Sequence, residues 1–319
     1  MGPHAAETWL DACASADYAI APARWRLGSR YRSDELERIC AEHPFIGQAE
    51  ARVWLHLHRD ELRRAVEHAA GDGLDRTAWE LCEALWTLWS RFRHFAAWEA
   101  THRLGLAAAM REGNRRAEAR MRVQWGFALA EQQHHDAAAE QFAKALTAEQ
   151  ATGHHRGEAT ALEALALVAV AEWRTDEALD LLGQAQAALY RAGDPVDARA
   201  AALLMFHRGR VLFRDGDIHG AHLHLQQAEG RLRGLDPPDV YNAALAHTEL
   251  ARVHIEAQEY VLALDLLDTA DELRALGAYH REAEALQELS WAAGHFGNHP
   301  VGTEAAGRIL DLRTVLGRG

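Results

Sequence analysis

Small and large apolar residues recur along most of this chain with one long period. A small residue stands twelve positions before an alanine, and a second alanine follows seven later. The sets are Gly126, Ala138, Ala145; Ala166, Ala178, Ala185; Gly209, Ala221, Ala228; and Ala251, Ala263, Ala270. A large apolar side chain falls four after the middle alanine each time: Phe142, Leu182, Leu225 and Leu267. Between these markers the apolar residues keep helical steps. Ala159, Leu162, Leu165, Ala166 and Ala169 make one stripe, and Ala178, Leu181, Leu182, Ala185 and Leu189 make another. Small residues where two helices cross let the backbones approach, and the large residue fills the space beside them. The pattern predicts a series of antiparallel helix pairs.

Glycines divide the series into units. Gly73, Gly113, Gly153 and Gly193 are spaced forty apart, and Gly234 and Gly277 continue with slightly longer steps. Each can close a helix in the left-handed conformation. Asn114 and Asp194, which follow two of them, favour turns. Within the third pair, Thr175 is an expected N-cap with Asp176 and Glu177 in the first turn. The unit is that of the tetratricopeptide repeat, a 34-residue helix pair, with about six residues added.

The register extends outward by one pair at each end. Trp86 takes the Gly126 position and Trp98 the Ala138 position, which predicts a wider first pair, as terminal repeats often deviate. Ser290 and Gly302 fit at the other end, where Asn298-His299-Pro300 disturbs the turn. The expected pairs are roughly 74–111, 115–151, 155–191, 196–233, 239–276 and 279–317. Three helices are expected before them: Glu7 to Ile20, Asp34 to Ala41 with Ser33 as cap, and Gln48 to Ala70. Pro22 to Gly28 reads as a linker between the first two. The predicted fold is therefore all-α: a right-handed superhelical solenoid of about six tetratricopeptide-like pairs with an N-terminal helical cap. Residues 1–47 are assigned to linker and capping helices, packed on the first repeat or on another domain, and residues 48–319 to the repeats.

Composition narrows the function. The formal charge is −13, which lacks the footprint of a nucleic-acid binder and agrees with plain solubility. Cys13, Cys40 and Cys82 are far apart with no C-x-x-C, which suits a reducing compartment. No apolar run reaches the ~20 residues of a membrane span, and no basic leader opens the chain. A cytoplasmic protein is expected, with no membrane partner and no direct nucleic-acid binding.

The N-terminal third carries a more specific resemblance. Ala19-Ile20-Ala21-Pro22-Ala23-Arg24-Trp25-Arg26-Leu27 resembles the segment that leaves the winged-helix part of actinobacterial NB-ARC (STAND-type) ATPases, with Leu10-Asp11 and the alanines around Ala16 similar to the helix before it. Ala51-Arg52-Val53-Trp54-Leu55 and Arg59-Asp60-Glu61-Leu62-Arg63-Arg64-Ala65-Val66 match the family element A-x-x-W-L-x-x-E-x-x-N-L-x-x-A-V, with Glu61 in place of its Asn. Gly73-Leu74, Ala78-Trp79, Leu81 and Leu85-Trp86 match G-L-x-x-x-A-W-x-L-x-x-x-L-W. The repeats are also similar to the family's, so the resemblance covers nearly the whole chain. It implies the sensor region of a signal-transduction ATPase of the antibiotic-regulatory type, a protein-interaction module that biases a nucleotide switch. The chain itself has no G-x-x-x-x-G-K-S/T, and Lys144 stands in an Ala-Lys-Ala helical context. It is expected either as a fragment beginning near the end of a winged-helix region or as a stand-alone protein without the switch.

Solenoids present the first helix of each pair on the concave side. The groove-facing candidates are Glu83 and Arg91; Arg120, Phe127 and Glu131; Glu163; Phe206, Arg210 and Arg214; and Arg252 and Glu256. Arginine would hold carboxylates and phenylalanine would anchor an apolar group. The alternative is that these residues form salt bridges between repeats. Trp86, Trp89 and Trp98 are read as core of the wide first pair or as a docking face for an ATPase module. Twenty histidines invite a metal, but His219, His222 and His224 gain no Cys or carboxylate at ligand spacing. His247 and His254, seven apart, read as core residues with hydrogen-bond partners. No nucleophile stands beside a base and no cofactor motif occurs, so catalytic, metal and cofactor residues are all expected to be none. The expected partners are a protein or peptide, including an ATPase or DNA-binding module in the same or another chain. The alternatives are a stand-alone repeat scaffold and, last, a helical-repeat hydrolase using the histidine-rich turns.

Overall fold

The structure is a computed structural model and is described for residues 3–193 and 196–316. Asp194 and Pro195, expected at a turn, lie outside the described residues, as does the last residue expected of the sixth pair, 317. Among the described residues there are seventeen α-helices and no strand. The chain divides into two compact units, residues 1–196 and 197–319.

Unit 1 opens with α1 (Pro3–Ile20), α2 (Ser33–Glu42), α3 (Gly47–Leu57) and α4 (Arg59–Gly71). Three helix pairs follow. The first is α5 (Asp75–Ala84) with α6 (Trp86–Phe92) against α7 (Phe95–Arg111), then α8 (Arg115–Glu131) with α9 (His135–Ala151), then α10 (His155–Ala171) with α11 (Thr175–Arg191). Unit 2 holds three more: α12 (Ala198–Arg214) with α13 (Ile218–Arg233), α14 (Val240–Glu256) with α15 (Leu266–Ala275), and α16 (Tyr279–Phe296) with α17 (His299–Leu316). The all-α series of helix pairs follows the sequence register closely.

The crossings show why the small residues are needed. A Cβ on Gly126 would sit 2.4 Å from Phe142 Cε1, and one on Gly209 2.7 Å from Leu225 Cγ. Ala138, Ala145, Ala178, Ala185, Ala221, Ala228, Ala263 and Ala270 are all fully buried. Where tryptophans replace the small pair, the indoles of Trp86 and Trp98 meet edge to face at 5.3 Å. The helix carrying Trp86 is interrupted just before it, at Leu85, which separates α5 from α6.

Four local expectations need correction. The single helix expected over Gln48 to Ala70 is two helices, parted at His58. His58 leaves helical geometry, its ring stacks on Trp54 at 4.7 Å, and its Nδ1 lies 2.9 Å from the Trp54 carbonyl oxygen. The break lets Ala51 and Leu55 on one side and Leu62, Ala65, Val66 and Ala69 on the other all reach the core. Ser33 and Thr175 are first helical residues rather than caps; Arg32 and Arg174 hold the cap positions without a side-chain cap. Side-chain caps come instead from Asn114, Asp197, Asp217 and Asp239, each accepting from the backbone N–H three residues on. Gly234 ends α13 in right-handed geometry, unlike Gly73, Gly113, Gly153, Gly193 and Gly277, which have positive φ. The second helix of the fifth pair starts as a 3-10 turn, Tyr260–Ala263, before α15.

Candidate interaction surface

Within each unit the first helices of successive pairs touch: α5 with α8 and α8 with α10 in unit 1, α12 with α14 and α14 with α16 in unit 2. These two first-helix faces are where a guest was expected.

In unit 1 that face is already covered. Residues 24–31, read from sequence as part of a linker and its continuation, cross α5, α8 and the start of α10. Glu83 on α5 accepts from the backbone N–H groups of Leu27 (2.9 Å) and Gly28 (2.7 Å). Glu80, one turn earlier, accepts from Ser29 N at 2.9 Å and Ser29 Oγ at 2.8 Å. Arg120 on α8 donates to Glu83 at 2.8 Å and to the Trp25 carbonyl at 3.0 Å. The Trp25 ring lies under the guanidinium groups of Arg120 (4.6 Å) and Arg156 (5.4 Å), with the His154 ring 5.4 Å away.

The same segment is tied to α1 from its other side. Asp17, fully buried, accepts from Arg24 (2.6 Å), Arg26 (2.5 Å), Tyr31 (3.0 Å) and Thr87 (2.6 Å). Burial alone would raise the Asp17 carboxyl, but Arg24 and Arg26 outweigh it and hold the group down to about 2. Burial lowers the Arg120 guanidinium to about 10, with Glu83 opposing and Arg24 adding to the fall. Burial raises the Glu80 carboxyl against the hydrogen bonds from Ser29. These are charges removed from water, and they persist because each meets a complementary group.

In unit 2 the corresponding face carries exposed or half-exposed charges linked between helices. Arg210 on α12 pairs with Glu249 on α14 at 3.3 Å. Arg252 pairs with the same Glu249 at 3.0 Å and with Glu288 on α16 at 2.9 Å. Arg214 and Glu256 are exposed at the helix ends. Burial, followed by repulsion from Arg210, lowers the Arg214 guanidinium. Trp291 is 46% exposed and continues the row on α16, with His295 (3.8 Å) and Tyr260 (5.8 Å) against its ring.

The remaining candidates are dispersed. Glu83 and Arg120 are buried beneath residues 24–29, and so cannot meet a guest directly in this conformation. Phe206 is buried in the unit 2 core, with Arg210 over its ring at 5.7 Å, because its helical turn faces α13 and α14. Phe127 packs between Trp86 (5.4 Å) and Phe142 (5.2 Å). Glu131 bridges to Arg93 at 3.0 Å, and Arg91 and Glu163 are half-buried. Of the candidate docking tryptophans, Trp89 and Trp98 lie in the core and Trp86 is half-buried, so they form no exposed face. Among the described residues no group of three His, Cys, Asp or Glu side chains is placed to hold a metal ion. His247 lies between Glu229 (3.1 Å) and Asp265 (3.2 Å), and His254 meets Glu259 at 2.8 Å.

Asp17, Arg24, Trp25, Glu80 and Arg156 were not among the sequence candidates. The available signal was Arg24-Trp25-Arg26 itself. A tryptophan flanked by arginines is costly to leave in a solvated linker, and it marks a segment that lies on a surface.

No known family profile and no curated protein matches the chain. Among solved structures it is similar to a Rap protein in complex with competence and sporulation factor, at 11% identity and TM-score 0.55 over 99% of both chains. It also aligns with BtubC (BKLC) from P. vanneervenii, at 13% identity and TM-score 0.49 over 75% of this chain and 92% of that one. The likeness to the Rap protein agrees with a tetratricopeptide-like helical repeat fold. No helix among the described residues is long and apolar enough to cross a membrane.

Proposed function

We propose that this chain is a non-catalytic interaction and sensor module of a cytoplasmic signal-transduction or transcription regulator, and that it takes a peptide or protein segment on the first-helix face of unit 2. The observation that carries this reading is the row Arg210, Arg214, Arg252 and Trp291. It combines solvent-accessible cations with an exposed aromatic ring on three adjacent first helices. Arginine beside an aromatic anchor is the composition of binding hot spots. The structural neighbour adds weight, because the Rap protein was solved with a factor bound. Occupancy of the row would trade the Arg210–Glu249–Arg252–Glu288 ion pairs for contacts to the guest. It would thereby bias the spacing of α12, α14 and α16. Such a shift, passed to an ATPase or DNA-binding module in the same or another chain, is the sensing step.

Panning a random peptide library on the full chain tests this. The selected peptides should bind the Arg210→Ala, Trp291→Ala double variant at least tenfold more weakly, with the helical signature by circular dichroism unchanged. Equal binding to both proteins would remove the unit 2 face from consideration. Failure of a purified NB-ARC partner to respond to peptide-loaded chain would remove the switch and leave a scaffold.

A further inference from the structure

In unit 1 the end of α3 meets the α6–α7 turn through two histidines. His56 lies one residue before the end of α3, and His94 is the residue before α7. Their rings stack at 6.1 Å and 24°. Phe92 lies against both, 4.9 Å from His56 and 6.1 Å from His94, and Trp89 meets His94 edge to face at 6.1 Å. One nitrogen of each ring, Nδ1 of His56 and Nε2 of His94, is buried and has no hydrogen-bond partner among the described residues. The pair therefore packs as two neutral aromatic rings in an apolar contact. The charged groups that act on it are Arg59 and Asp60, which open α4. Arg59 donates to the His56 carbonyl oxygen at 3.0 Å, which anchors its guanidinium beside the pair. Arg93, in the α6–α7 turn, directs its charge to Glu131 at 3.0 Å. On α3 itself, Arg52 stands one turn before His56. Burial and then Arg59 lower the His56 imidazole, and burial, His56 and Arg59 lower that of His94 against Asp60.

We propose that the His56–His94 stack is an acid-sensitive latch, which holds the end of α3 against the α6–α7 turn while both rings are neutral and releases it when they take up protons. Two imidazolium rings at this separation repel each other and Arg59, and only Asp60 offsets them. The rest of α3 is held elsewhere. It packs mainly on α1 and places Ala51 and Leu55 in the core, so release frees one end of the helix and leaves its seat intact. Val53 and Leu57, already exposed, lie at the end that is freed. Both histidines sit below the ordinary value of 6.5 in the folded chain, so the latch is closed above pH 6.5 and opens as the pH falls below it. This inference concerns unit 1 and does not rest on the reading of unit 2.

The test uses the full chain and a His56→Phe, His94→Phe double variant, in which both rings stay aromatic and neither takes up a proton. Hydrogen exchange is followed at about pH 7.5 and about pH 5 and corrected for the intrinsic effect of pH. In the unaltered chain the amides of residues 53–57 should exchange about tenfold faster at the lower pH, relative to those of α10. In the double variant that ratio should not change. An equal response of both proteins, or no response in the unaltered chain, overturns the proposal. A second measurement holds even where the double variant fails to fold. Followed by NMR in the unaltered chain, both rings should titrate below 6.5, and His56→Phe alone should move the His94 midpoint upward by removing its neighbour's charge. A midpoint at or above 6.5 for either ring, or a His94 midpoint indifferent to His56, also overturns it. None of these results touches the peptide-library experiment on unit 2.

Discussion

The two first-helix faces are built on the same helix-pair scaffold and differ in where their charges stand, buried in unit 1 and near the surface in unit 2. Three residues before the crossing position, unit 1 has Glu83 ahead of Trp86, and unit 2 has Phe206 ahead of Gly209. Six before it, unit 1 has Arg120 ahead of Gly126, and unit 2 has Leu203 and Leu245 ahead of Gly209 and Ala251. Unit 1 therefore buries charges that the chain's own segment neutralises, and unit 2 packs apolar groups there and moves its charges outward to Arg210, Arg214 and Arg252. The repeat register sets where the side chains stand. A few substitutions within it decide whether the charges lie under the chain's own segment or stay near the surface.

The sharpest way to break this contrast is to remove one charge from α1, behind the segment that covers the unit 1 face, and one from the unit 2 face. Asp17→Ala leaves Arg24 and Arg26 buried without their counter-ion and should cost about 3–5 kcal/mol. Glu288→Ala removes a half-exposed partner of Arg252 and should cost at most about 1 kcal/mol. Urea unfolding of the two variants measures both. Similar losses would show that the unit 1 network is no more buried, energetically, than the unit 2 ladder.

A smaller effect tests the scaffold that both faces share. Ala178 is fully buried where α10 and α11 cross, so Ala178→Leu should overpack the crossing and cost about 1–3 kcal/mol. Unchanged thermal unfolding would mean that the small residues are not what sets the helix spacing. A cap in unit 2 gives a gentler probe of one helix. Asp217→Ala removes the acceptor for Gly220 N at 2.8 Å and should cost about 1 kcal/mol.

The architecture was legible because its cause is periodic. Ala138, Ala178 and Ala221 recur at crossings, and each crossing imposes the same steric demand. The breaks at His58 and Leu85 were not legible, because they answer to single aromatic contacts, Trp54 with His58 and Trp86 with Trp98. The groove candidates split for a related reason. The register puts Glu83, Arg120, Arg210 and Arg252 on first helices. It carried no information about which of them another part of the chain would cover. That cover comes from residues 24–29, more than fifty positions before Glu83, and no local pattern links the two. For Trp89 and Trp98 the sequence leaves core and docking face both open, and their burial decides for the core.

The smallest expected effect distinguishes the two units by pH. Burial would lower the His247 imidazole, but the hydrogen bonds that it donates to Asp265 and Glu229 overcome this and raise the group to about 9, against an ordinary value of 6.5. A raised value means that the charged ring stabilises unit 2 fully below about pH 6.5 and loses that contribution as pH climbs through about 9. Asp17 behaves oppositely in unit 1. Its value falls from 3.8 to about 2, so its contribution holds above pH 3.8 and disappears as pH drops through about 2. The histidine effect should be modest, because the Asp265 side chain is 58% exposed and water screens the pair. Thermal unfolding of the unaltered chain and of His247→Gln should therefore differ more at pH 6 than at pH 9.5. In that alkaline interval Asp17 stays ionised and unit 1 serves as an internal reference. A difference that grows toward pH 9.5 would mean that His247 is neutral in the folded protein, and that Glu229 is held by Arg233 at 3.0 Å without help from the ring.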